Sequence, residues 1–134
     1  MKRKSQIVLG LDQCLELKKL GFKFPCTVLG WYYKDDISKA NLKIIDGRIK
    51  DNYISAPTLQ EFIDCLPKEF IVQDPIVSTW DTHYVLTLEN HDWSCRVRYW
   101  NGMWGDYEGK WFDSKQPIFA VFELTKWLLE NGKI

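Results

Sequence analysis

Arg96, Arg98 and Trp100 occupy alternate positions in the run Cys95-Arg-Val-Arg-Tyr-Trp100, so on a β-strand the three side chains share one face. Two guanidinium groups and an indole on an open sheet face have the chemistry to hold phosphates and stack a base. The competing reading is structural: Glu89 and the glutamates of other elements neutralise the arginines, and Trp100 packs on Met103. A second grouping is Phe119 and Trp127. In the helical period of the C-terminal segment they fall on or beside the stripe that holds Glu123, Lys126 and Glu130, where a monomeric domain normally places polar residues. Either the segment around Phe112 to Gln116 folds over them, or the two rings form an apolar patch of the kind that marks an interface, which is the reading favoured here.

Other reactive residues do not assemble in the sequence. His83 and His91, with Asp81 or Asp92, have metal-ligating chemistry, but the two histidines sit at opposite ends of one predicted strand, roughly 25 Å apart at the rise per residue of a strand. Cys14, Cys26, Cys65 and Cys95 form no Cys-x-x-Cys pair. Each lies among apolar or β-forming neighbours, which predicts buried, reduced thiols and no activated nucleophile. Glu89, Asp92, Asp106 and Glu108 read as turn and edge residues that keep a sheet soluble. Hence no catalytic residue, metal ligand or cofactor site is assigned. The binding candidates are Arg96, Arg98, Trp100, Phe119 and Trp127.

Composition narrows the function classes. Lysine plus arginine equals aspartate plus glutamate at 18 each, so no global field draws the chain to nucleic acid or to an anionic membrane. The apolar run Ile7 to Leu11 after the basic Met-Lys-Arg-Lys start is too short for a secretion signal and far too short to span a bilayer. The expectation is a cytoplasmic protein without a membrane partner. Aromatic residues make up 15% of the 134 residues, enough to build a small core efficiently and to leave rings for recognition.

The elements that must position these residues follow from local patterns. A helix from about Leu11 to Leu20 turns Leu11, Cys14, Leu15 and Leu17 to one side, and Gly21 supplies a left-handed cap. Thr27 to Tyr33 reads as a strand. Asp46-Gly47 between Leu42-Lys-Ile-Ile and Arg-Ile-Lys50 has the chemistry of a two-residue hairpin. Thr58 and Glu61 have the capping-box spacing, opening a short helix through Leu59, Phe62, Ile63 and Leu66 that Pro67 ends.

From Tyr84 to Tyr99 the alternation predicts a hairpin. A two-residue turn at His91-Asp92 sets Leu88 opposite Cys95, Leu86 opposite Val97 and Tyr84 opposite Tyr99, and leaves Val85, Thr87, Glu89, Arg96, Arg98 and Trp100 outside. Asn101-Gly102 makes the next turn. Gly105 bulges, since unbroken pairing would carry Asp106 and Glu108 into the core. A last helix begins near Pro117, where the missing amide costs nothing, and ends at Asn131-Gly132.

Three segments, Leu17-Lys-Lys-Leu-Gly-Phe22, Ser55-Ala-Pro-Thr-Leu-Gln-Glu61 and Tyr107-Glu followed by Pro117-Ile-Phe-Ala and Trp127-Leu-Leu-Glu-Asn131, occur in an order that resembles small proteins encoded in phage and prophage regions of bacteria. The resemblance implies a mobile-element origin and carries over no activity or site residue.

The fold expected is a single α+β domain over residues 1–134, with residues 1–6 a disordered basic N-terminus. Its antiparallel sheet, built of hairpins and a C-terminal three-stranded meander, is covered on one face by short helices and a C-terminal amphipathic helix. The function expected is a non-catalytic module that binds a protein partner or itself, as an accessory protein of a mobile element. The alternative is a nucleic-acid-binding module that uses the outer sheet face.

Overall fold

The computed structural model describes residues 8–25, 27–45, 52–73, 76 and 81–134. The elements run α1 (Leu11–Lys19), β1 (Leu29–Tyr32), β2 (Asn41–Ile44), β3 (Tyr53–Ser55), α2 (Leu59–Cys65), β4 (Glu69–Gln73), β5 (Asp81–Asn90), β6 (Cys95–Asn101), β7 (Gly105–Ser114) and α3 (Pro117–Glu130), with a 3₁₀ turn over Ile37–Lys39 between β1 and β2. All strand pairs are antiparallel. They form a three-stranded sheet ordered β2-β1-β3 and a four-stranded meander ordered β4-β5-β6-β7. The architecture is therefore α+β, with a meander one strand longer than the sequence pattern suggested. The strand missed is β4, a short run, Glu-Phe-Ile-Val-Gln, that follows Pro67-Lys68. The expected hairpin at Asp46-Gly47 lies outside the described residues; β2, which precedes it, pairs with β1.

Helix ends form where local chemistry places them. The Thr58 hydroxyl accepts from the Glu61 amide at 3.2 Å, and Glu61 Oε1 accepts from the Thr58 amide at 2.9 Å. The other oxygen of Glu61 accepts from the Val28 amide at 3.1 Å, so the cap of α2 also ties down the approach to β1. Leu66 is extended, as a residue before proline prefers, and ends α2. Both longer helices close on a left-handed glycine: Gly21 has φ +89° and Gly132 +66°. In each case the next residue reaches back five positions, Phe22 to Leu17 at 3.0 Å and Lys133 to Leu128 at 2.8 Å.

One hydrophobic cluster joins both sheets, with Leu9, Leu17, Ile54, Phe62, Val97, Tyr99, Val121, Leu124 and Leu128 among its members. Helix α3 is central. It packs on β6 and β7 on one side and against α2 on another, and Lys126 meets Glu16 of α1 at 2.8 Å. Its buried residues therefore extend well round the helix, from Ile118 and Ala120 through Phe122 to Thr125 and Leu128. The Thr125 hydroxyl is satisfied by donating to the Val121 carbonyl at 2.7 Å.

This central position matches the covered alternative for Phe119 and Trp127 more closely than an exposed patch. Both are half-buried and pack on the core. Trp127 lies against Tyr107 and Phe112 of β7, with ring centroids 6.5 and 6.4 Å away, and Phe119 lines a hollow with Leu11 and Trp31. The helical period identified the two positions correctly, but it could not show their cover, which comes from β7 just before the helix and from Leu11 and Trp31 far off in sequence. A second correction concerns the thiols: Cys14 and Cys95 are buried, Cys65 is exposed, and Cys26 lies outside the described residues.

A candidate binding face on the four-stranded sheet

The β5–β6 hairpin sets Val85 against Trp100, Leu86 against Tyr99, Thr87 against Arg98, Leu88 against Val97 and Glu89 against Arg96. That register differs by two residues from the expected one. His91 and Ser94 bond each other's backbones, at 2.7 and 3.3 Å, so the turn is Asp92-Trp93 and not His91-Asp92. Trp93 is thereby carried to the tip, 86% exposed, instead of lining the inner face. A slip of two preserves which side each residue faces. Cys95, Val97 and Tyr99 accordingly point inward and are buried, while Arg96, Arg98 and Trp100 stand on the outer face.

The β6–β7 connection completes that face through two irregularities. Asn101 pairs with Gly105 around a three-residue loop, the Asn101 carboxamide oxygen accepts from the amides of Met103 and Trp104, each at 2.9 Å, and Gly105 has φ +86°. This loop leaves Asp106 opposite Trp100, on the outer face, which is the outcome the predicted bulge at Gly105 was to secure. The second irregularity lies between the Arg98–Trp111 and Trp100–Asp106 pairs, where residues 107–110 of β7 face Tyr99 alone. Glu108 and Gly109 both take left-handed φ values there, +52° and +68°. The shift brings Tyr107 and Phe112 both inward and sends Trp111 and Asp113 outward beside the arginines. Sequence alternation alone did not reveal Trp111, because the extra residues reverse the parity of the strand.

On the assembled face each arginine is stacked and paired. The Arg96 guanidinium lies 4.1 Å from the centre of the Trp111 ring and donates twice to Asp113, at 3.0 and 3.2 Å. The Arg98 guanidinium lies 3.9 Å from the centre of the Trp100 ring, donates to Glu89 and meets Asp106 at 3.6 Å. The Arg98 side chain is only 13% exposed. Hydrogen bonding from Arg98 holds the Glu89 carboxyl below its ordinary range, and hydrogen bonding from Arg96 does the same for Asp113. The Asp113 carboxylate in turn raises the Arg96 guanidinium. Trp100 thus stacks on Arg98, and each arginine already faces a carboxylate that would compete with an approaching phosphate.

The apolar surface left open belongs to other residues. Ile71 and Val85 are exposed beside the stacked pairs, as is the free side of Trp111, and Met103 and Trp104 project from the adjoining loop. Trp104 is 68% exposed.

Among the described residues, the histidines meet carboxylates and the thiols are raised by burial. His83 meets Glu69 at 3.1 Å and His91 meets Glu89 at 3.5 Å, at opposite ends of β5. Burial pushes the Cys14 thiol up to about 12 and also raises Cys65 and Cys95, the reverse of nucleophile activation. Among the described residues no three His, Cys, Asp or Glu side chains are placed to share a metal ion, and no helix is long and apolar enough to cross a membrane. No protein-family model, curated protein or solved structure matches the chain.

Proposed function

We propose that the chain is a protein-binding module whose contact surface is the outer face of the β4–β7 sheet, with no chemistry of its own. The observation that carries this reading is the set of exposed apolar side chains, Ile71, Val85, Met103, Trp104 and Trp111, on a face whose arginines are already paired with carboxylates. Exposed rings beside a balanced polar rim suit a protein surface, where tryptophan anchors contribute most of the binding energy. A nucleic-acid footprint would instead present unpaired cations. The further suggestion that the module serves a mobile element rests on the resemblance of its three sequence segments.

The test compares proteins captured from a bacterial lysate by the wild type and by Trp104→Ser with Trp111→Ser. A partner retained by the wild type and lost by the variant, with the thermal midpoints of the two chains within a few degrees, supports the reading. Equal capture by both, or a salt-dependent mobility shift with nucleic acid and no protein partner, overturns it.

A further inference from the structure

We infer that the hollow at the end of the β1–β2 ladder is a nucleotide site, with the base on Tyr32 and Tyr33 and the phosphate on Lys34, Lys39 and Lys43. These side chains line an open hollow of about 390 Å³, a size that suits a small ligand. The strand register explains how they meet. Tyr32 pairs with Asn41, and Lys43 lies two residues further on, so the three share the sheet face opposite the one that Trp31 and the buried Ile54 turn to the core. Lys34 and Lys39 enter from the connection between the strands. Its 3₁₀ turn is held by the Lys39 amide, which donates to the Asp36 carbonyl at 3.0 Å, and by the Ala40 amide, which donates to the Ile37 carbonyl at 3.1 Å.

The cations here differ in state from those of the four-stranded sheet, where both arginines are paired with carboxylates. No described carboxylate lies within ion-pair distance of Lys34, Lys39 or Lys43, whereas Lys68, Lys126 and Lys133 each meet one. Asp35 and Asp36 also reach the hollow, so three cations face two anions there and the balance is positive. Asp36 is turned back on its own segment. It accepts from the Ser38 amide at 3.0 Å and from the Ser38 hydroxyl at 2.7 Å. The three ammonium groups keep their donors for a phosphate, which a lysine holds as a point charge.

The aromatic half of the hollow points to a nucleotide rather than a bare anion. Lys43 Nζ lies 4.7 Å from the centre of the Tyr32 ring, so a cation already adjoins a π face. The Tyr33 backbone is tied down by its amide, which donates to the Asn52 carbonyl at 3.0 Å. Both tyrosines are half-buried, and a base of any identity stacks on such a ring. The Asn41 carboxamide is exposed and bonds to no described residue, which leaves a donor and an acceptor for a base edge. The chemistry recognised is that of a nucleoside phosphate, free or as one unit of a single strand.

Titration calorimetry and amide NMR of the full chain test this with adenosine monophosphate, adenosine, inorganic phosphate and a single strand of about a dozen nucleotides. The monophosphate should bind more tightly than adenosine or phosphate, weaken as salt rises, and shift the amides of Tyr33, Lys39 and Asn41. Lys39→Gln with Lys43→Gln should lower its affinity about tenfold and leave the thermal midpoint nearly unchanged, since both side chains are exposed. Trp104→Ser with Trp111→Ser should not alter it, which separates this site from the partner surface proposed above. A strand that binds more tightly than the monophosphate assigns the site to single-stranded nucleic acid; equal or weaker binding assigns it to a free nucleotide. Absence of shifts at those amides with both the monophosphate and the strand, phosphate binding as well as the monophosphate, or undiminished affinity in the lysine variant would each overturn the inference.

Discussion

The Arg98 guanidinium lies 3.9 Å from the centre of the Trp100 ring two residues along the same strand, and 3.6 Å from Asp106 on the neighbouring one. A cation is thereby enclosed between an indole and two carboxylates on the outer face of the sheet. Neither Arg98 Nε nor Asp106 Oδ1 has a hydrogen bond, although both atoms are buried, so on the Asp106 side the group is held by charge, while Arg98 Nη2 bonds Glu89.

Arg98→Ala should destabilise the domain by about 2 kcal/mol, because it leaves the Asp106 carboxylate enclosed without its counter-charge. Arg98→Ala with Asp106→Ala should recover part of that loss. Denaturation midpoints of the two singles and the double give the coupling; simple additivity would show that the pair contributes nothing.

At the start of α2, Thr58→Ala should cost about 1 kcal/mol, the usual value of an N-cap side chain. Glu61→Ala should cost more, about 2 kcal/mol, because both carboxylate oxygens are in use, one on the Thr58 amide and one on the Val28 amide. Faster hydrogen exchange at Val28 in the Glu61 variant, and not in the Thr58 variant, checks the second contact.

Trp127→Ser should lower stability by about 3 kcal/mol, since the indole is packed between Tyr107 and Phe112. Phe119→Ser should act in the same direction through its contacts with the core. If either variant kept its thermal midpoint and lost a partner, the rings would be an interface, and α3 would not be covered in the way described.

Glu89 and Asp113 both have carboxyls held below their ordinary range by arginine hydrogen bonds. A depressed folded pKa contributes stability that is present above the unfolded value and is lost as pH falls through the folded one. Stability should therefore stay level from pH 7 to about 5 and decline below about pH 4. Both groups are open to solvent, so the decline is small and diminishes in high salt. Glu89→Gln with Asp113→Asn should flatten it, as urea titrations across that range would show.

Much of the framework was legible because its causes lie within a few residues. The reciprocal bonds of Thr58 and Glu61, the proline at the first position of α3 and the glycines that close α1 and α3 each need no more than one turn of chain. The outward side of Arg96, Arg98 and Trp100 was legible for a related reason. A strand alternates strictly, so a hairpin register wrong by two residues still keeps every side chain on its proper face.

What the sequence by itself determined is thus where helices begin and end and which residues share a face. The tertiary structure decided what meets them. The extra residues at 107–110 of β7 brought Trp111 and Asp113 to the arginines, and the shift arises from the fit of one strand to another, with no period to mark it. Phe119 and Trp127 look exposed on an isolated helix and are covered because α3 runs through the middle of the fold. Burial is a sum over neighbours far apart in sequence, so the pattern of one helix cannot report it.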